Sequence, residues 1–150
     1  PPFLNVEVYV MRKGTSEWVL VSRSHNIITN GGKEFIEDKL ANSANASKVL
    51  YISLSTSASA PDAAWTNIPS EINSGGLERA LGAYTSLGTG NWKVEKTFAA
   101  TATHTNVQLS GISWSSVSQG GGLMFCAQFS TPASVVSGDS LLVRWTHTAS

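Results

Sequence analysis

From Asn5 to Met11 the chain alternates: Val6, Val8 and Val10 fall on one face, and Glu7, Tyr9 and Met11 on the other. A period of two belongs to a strand with one buried face. Trp18–Arg23 is a second such run, joined to the first through a turn around Gly14, so the pair predicts a hairpin. Further strand patterns occupy Lys48–Ser55, Leu77–Gly88, Asn91–Thr101, Asn106–Val117, Gly120–Ser130 and Ser137–Thr148. Gly82 marks a bulge or kink in one of them, and three glycines, Gly120–Gly122, open another. About seven or eight strands separated by turn signals predict a mainly β fold, an antiparallel β-sandwich of Ig-like or related type.

One stretch breaks this rhythm, NIITNGGKEFIEDKLANS from Asn26 to Ser43. Thr29 or Asn30 can cap a helix, with Glu34 placed to complete a capping box. Acidic residues early in the stretch suit the helix dipole. Phe35, Ile36 and Leu40 fall on one side, and Lys33, Glu34, Glu37 and Asp38 mostly on the other. A helix of about three turns does not stand alone in water. It is expected to pack on the sheets, plugging an open end or side of the sandwich.

No repeat or low-complexity tail divides the chain, so a single sandwich domain is expected over 5–150. Pro1, Pro2, Phe3 and Leu4 form an apolar arm ahead of it. Proline cannot donate to a sheet ladder, which puts the arm outside the core sheet and makes it a candidate contact with a neighbour. Between strands, Thr56–Gly76 shows no period and carries Pro61, Pro69 and a Gly pair. A stretch this long without structure is usually functional or interfacial. Pro61, Asp62, Trp65 and Ile68 are its candidate interface residues, Trp65 being either an anchor tucked under the loop or an exposed contact.

Charge excludes several functions. Ten basic and ten acidic residues balance to zero, and the charged fraction is only 13%. Nucleic acid and anionic membranes are therefore not expected partners. A neutral, weakly charged surface also sets a low barrier to self-association. No apolar run approaches the ~18 residues of a membrane span. The start, PPFLNVEVYV, lacks a signal peptide's charged beginning and cleavage site; loss of an initiator Met and processing to a mature form both remain open. Cys126 is the single cysteine and sits in the apolar run GLMFCAQF, where a buried structural thiol is expected.

Catalytic patterns do not emerge. His25, His104 and His147 have no partner at metal spacing, and no G-x-S-x-G elbow occurs. Glu34, Glu37 and Asp38 belong to a solvated helix face, and Asp62, Glu71 and Asp139 to loops or turns. Gly31-Gly32 is a helix-entry turn before it is an anion site. Asn45-Ala46-Ser47 matches a glycosylation sequon. Trp18, Trp65, Trp92, Trp114 and Trp145 could line a sugar site, but four of them fall in strand patterns, where core packing is the default. The chain is expected to be no enzyme, with no cofactor, no metal and no small-molecule substrate.

Four segments together carry a resemblance. HNIITNGGKEFI resembles the N-x-[IL]-T-N-x-G-[RK]-x-x-[IL] opening of many small phage structural proteins. YISLSTSASAP (Tyr51–Pro61) looks like the strand that follows it there, and Gly75-Gly76-Leu77-Glu78-Arg79 like their Gly-Gly/Arg element. The C-terminal pair GGGLMFCAQFSTPASVVSGDSLLVRWTHT (Gly120–Thr148) is similar to their ending, which closes on G-D-x-L-x-V-x-W. The resemblance spans Asn26–Thr148. It implies a virion component, as head decoration (cement), tail or fibre protein. A chain with no collagen-like or coiled-coil shaft fits decoration best. Such proteins usually form homotrimers on the outer surface of the capsid, contacting the major capsid protein and reaching neighbours with a terminal arm. Tail proteins contacting the host are the alternative, and an extracellular filament subunit, whose N-terminal strand completes a neighbour's sheet, is a third reading. This chain departs from the common ending in its polar strand face around Gln128.

Overall fold

The computed structural model describes residues 4–41 and 47–149. It is an antiparallel β-sandwich of two five-stranded sheets with one α-helix among the described residues. In chain order the elements are β1 (Leu4–Met11), β2 (Val19–His25), β3 (Ile27–Ile28), α1 (Asn30–Ala41), β4 (Tyr51–Ser55), β5 (Ala80–Leu81), β6 (Ala83–Gly88), β7 (Asn91–Ala99), β8 (His104–Ser113), β9 (Leu123–Val135) and β10 (Ser140–His147). The first sheet has the order β2-β1-β10-β7-β6, the second β3-β9-β8-β4-β5. The strands exceed the expected seven or eight because β3 and β5 are only two residues long, too short for periodicity to reveal.

The first sheet follows its alternation. Val6, Val8 and Val10 face Trp145, Val143 and Leu141 across the β1–β10 ladder, and all six are buried. Trp145 is opposite Val94 on β7, and Leu141 opposite Phe98. Burying each such aliphatic side chain contributes about 1.5–3 kcal/mol. The indole N–H of Trp145 donates to Ser110 Oγ at 3.2 Å, and that hydroxyl donates to Ser53 O at 3.0 Å. The largest core side chain thus satisfies its polar atom on the opposite sheet.

Leu4 corrects the expected arm. It opens β1 opposite His147, is 2% exposed, and its N–H donates to Asn26 Oδ1 at 2.9 Å. The period of Val6, Val8 and Val10 extends one step back to Leu4, and burial wins over the proline-rich start. Leu4 therefore belongs to the sandwich, and Pro1, Pro2 and Phe3 lie outside the described residues.

Helix α1 is capped by Thr29, whose Oγ1 accepts the Gly32 N–H at 2.9 Å and donates to Leu123 O. N3 is therefore Gly32, and Glu34 is exposed in the second turn, so the expected capping box does not form. The first turn carries no acidic residue either, so the expected support for the dipole is absent there. A Cβ on Gly32 would run into the Met124 carbonyl oxygen, which is how close α1 lies on β9. Phe35 is buried and stacks on Trp114 with centroids 4.7 Å apart. Leu40, expected on the apolar side, is 83% exposed.

Gly82, expected as a kink, is where the chain leaves one sheet for the other, between β5 and β6. Its N–H donates to Leu50 O at 2.7 Å, and a Cβ there would meet Val94 at 2.5 Å. Only glycine fits so close a corner.

Candidate interaction surface

Register divides the second sheet into two faces. Ile52, Ile112 and Phe125 share the inner face with Ile28, while Ser53, Gly111 and Cys126 share the outer face with Ile27. Both faces are buried through the middle of β4, β8 and β9. The outer cover is the aperiodic segment 56–76. Ile68, fully buried, packs with Leu123 and Cys126, and half-buried Trp65 and Ile27 close around them.

The backbone stitches the cover down. Asn30 N donates to Ala63 O at 2.7 Å, Leu123 N to Thr66 O at 3.3 Å, and Ile72 N to Leu54 O at 2.8 Å. Gln108 Nε2 donates to Thr56 O at 2.9 Å and Gln128 Nε2 to Ala58 O at 3.2 Å. The polar face around Gln128 therefore holds this segment. Gly111 is small because a Cβ there would meet Leu123 at 2.6 Å and Ile68 at 3.0 Å.

An ion pair closes the segment. Arg79 Nη2 and Nε donate to Glu71 Oε1 and Oε2 at 2.7 and 3.0 Å, and Nη1 donates to Ser115 O at 3.1 Å. The side chains are 1% and 0% exposed. Two parallel charge-assisted bonds are the strong geometry for a buried guanidinium–carboxylate pair. Sequence reasoning left Glu71 among scattered loop carboxylates.

The four expected loop contacts therefore separate. Ile68 is a core anchor, not an exposed contact, because it fills the space over Gly111. Trp65 is half-buried and packs against Ile68, Leu123 and Cys126. Asp62 is exposed and turns the chain, accepting Ala64 N–H at 2.8 Å on Oδ1, while its carbonyl accepts Trp65 N–H at 3.1 Å. Pro61 is half-buried. Burial pushes the Cys126 thiol up to about 12, assisted by the Asp62 charge, so this cysteine is a core residue and no nucleophile.

Across the outer face of the first sheet, Arg23, Glu7, Arg144 and Glu95 stand directly opposite one another on β2, β1, β10 and β7. Arg23 Nη2 donates to Glu7 Oε2 at 2.8 Å, and Arg144 Nε to Glu95 Oε2 at 2.7 Å. Lys93 adds a bond to Glu95 at 2.8 Å, and the Arg144 guanidinium lies 5.3 Å over the Tyr9 ring. Burial works to raise both carboxyls, but the bonds from Arg23 and Tyr9 to Glu7, and from Lys93 and Arg144 to Glu95, outweigh it and hold both low. Alternating signs across strands stabilise a sheet by about 0.2–1 kcal/mol per pair.

Asp139 ties the β9–β10 turn to the first hairpin. It accepts the backbone N–H groups of Val136 at 3.0 Å and Lys13 at 2.9 Å, and Arg12 Nη1 at 2.9 Å. Those bonds, Val136 first, hold its carboxyl below the usual range. Gly138 supplies the positive φ of 98° the turn needs.

Beside α1, the described residues bound an apolar cleft of about 640 Å³ between the sheets, floored by Leu4, Val94, Met124 and Phe125 and rimmed by Tyr84 and Trp92. His147 stacks on Trp92 there and makes a 3.0 Å bond between Nδ1 and Gly90 O, while His104 Nε2 is 3.1 Å from Gly75 O. Each histidine lies at the end of a strand. Of the tryptophans, only Trp92 and Trp145 lie within strands; Trp18 precedes β2 and Trp114 follows β8, two fewer in strands than expected. No group of His, Cys, Asp and Glu able to hold a metal occurs among the described residues. Asn45 and Ala46 of the sequon lie outside them. No described helix is long and apolar enough to cross a membrane. Comparison with family models, with curated proteins and with solved structures gives no match.

Proposed function

We propose that this chain is a non-enzymatic structural component of a phage virion, a decoration protein on the outer surface of the head. One observation carries the reading: the residues of the resemblance are those that build the scaffold. Thr29 caps α1 and Gly32 admits it to β9. Arg79, from the Gly-Gly/Arg element, clamps the cover. Gly138 and Asp139 make the turn, and Leu141, Val143 and Trp145 fill the core. A motif set of this kind marks a common frame carrying variable surfaces, as in a family of assembly proteins. The head is preferred to a host-contacting tail because two of the candidate interface residues of the loop, half-buried Trp65 and buried Ile68, pack against Leu123 and Cys126.

Its partners are the major capsid protein and further copies of itself. The mechanism is linkage: a protein that binds only the assembled shell stabilises that shell by the free energy of binding. The test is a phage lacking the gene. Its heads are expected to release DNA at a lower temperature, and the purified protein to restore the wild-type value saturably. Heads of unchanged stability that bind none of the added protein overturn the reading.

A further inference from the structure

Four strands end the two sheets, and three of those edges are managed within the chain. The β2 edge lies against β9, where Ser22 Oγ accepts the Ser130 N–H at 2.9 Å. β3 and β5 are two residues long, and β3 runs directly into α1. The fourth edge, β6, is different. It is six residues long, every residue is exposed, and among the described residues its ladder partner is β7 alone.

Exposed edges are normally blunted with lysine, proline or inward charge, because their unpaired N–H and C=O groups template another strand. No charged residue or proline lies between Arg79 and Lys93. Tyr84 is 59% and Leu87 50% exposed, and Leu81 on the adjoining β5 is 56% exposed. The one irregularity, between Ser86 and Gly88, falls at the far end of the strand.

We propose that β6 pairs antiparallel with β6 of a second copy, joining the two first sheets into one across a two-fold axis. An open row of backbone groups calls for a strand, and an uncharged, partly apolar edge calls for one equally free of charge. Another copy supplies such a strand by symmetry, and a self-complementary patch closes at two subunits. Opposite residues in an antiparallel pair share a face, so the axis passes midway between a residue and its own counterpart. Thr85, at the middle of the strand, is placed for this. The pairing does not rest on the virion reading, and it differs from the threefold arrangement that the resemblance implies.

The test is the solution mass of the full chain by light scattering, across a concentration series, for the wild type, Thr85→Glu and Leu87→Lys. Thr85 lies opposite Lys93 on β7, so glutamate there is compatible with the fold but faces its own twin across the axis. The wild type is expected to reach twice the 15.9 kDa chain mass. Each variant is expected to raise the dissociation constant by about ten-fold or more with circular dichroism unchanged. A wild-type monomer at every concentration, a trimer, or a dimer untouched by both folded variants overturns the pairing. Thermal protection of heads is a separate readout, so failure of this pairing and failure of the virion reading are distinguishable.

Discussion

Arg79 and Glu71 form a doubly hydrogen-bonded ion pair whose side chains are 1% and 0% exposed, eight positions apart across the end of an aperiodic segment. Glu71 also sits in an isolated bridge with Ser55, at the end of β4. The pair thus fixes both where the covering segment returns to the second sheet and where β5 begins.

Removing one partner leaves the other charge buried and unpaired, which costs about 3–5 kcal/mol. Arg79→Met and Glu71→Leu are each expected to lower stability by that amount in urea unfolding. The double variant is expected to recover most of it, since two apolar groups leave no orphan charge. Additive losses would show that the two residues act separately.

Thr29→Ala removes the helix cap. Its expected cost is about 1 kcal/mol, up to about 2, while Thr29→Ser retains the hydroxyl and most of the stability. Equal unfolding midpoints for the two variants would contradict the cap.

Acid should weaken the fold through Asp139. Its folded pKa is depressed, so its contribution is complete above the ordinary carboxylate value of about 3.9 and is lost as pH falls through the lower folded value. Glu7 and Glu95 act in the same direction. Tm measured from pH 7 down to about 2 is expected to fall less steeply at the acid end in Asp139→Asn than in the wild type. Parallel curves would remove Asp139 from the acid response.

Cys126 should be silent in the native state. With its thiol pushed up to about 12, on the order of one molecule in 10⁴ carries the thiolate at pH 8. A thiol reagent is expected to modify it only under denaturing conditions. Rapid native labelling would mean that the cover formed by Trp65 and Ile68 opens readily.

The first sheet was legible because one of its faces meets solvent, so apolar and polar positions alternate in β1, β7 and β10. The second sheet carried a subtler signal. The run LMFCAQF loses alternation because Phe125 faces the main core while Cys126 faces Ile68 on the other side. What covers that second face was not legible, since 56–76 has no period and its contacts join residues far apart in sequence. The clamp was missed for the same reason: a loop glutamate reads as solvated until its arginine is in place. Leu4 had a readable signal, one more step of the valine alternation, and the adjoining prolines obscured it. The helix was placed correctly, but its apolar stripe overstated the contact: Gly32 lies close on β9 and Phe35 is buried against Trp114, while Leu40 is exposed.

The proposed virion role is tested most directly by image reconstruction of the phage particle in which this chain is proposed to assemble. The account predicts density for the two-sheet sandwich on the outer surface of the head, against the major capsid protein. The same sandwich on the tail, or a particle with no copy of the chain, would contradict it.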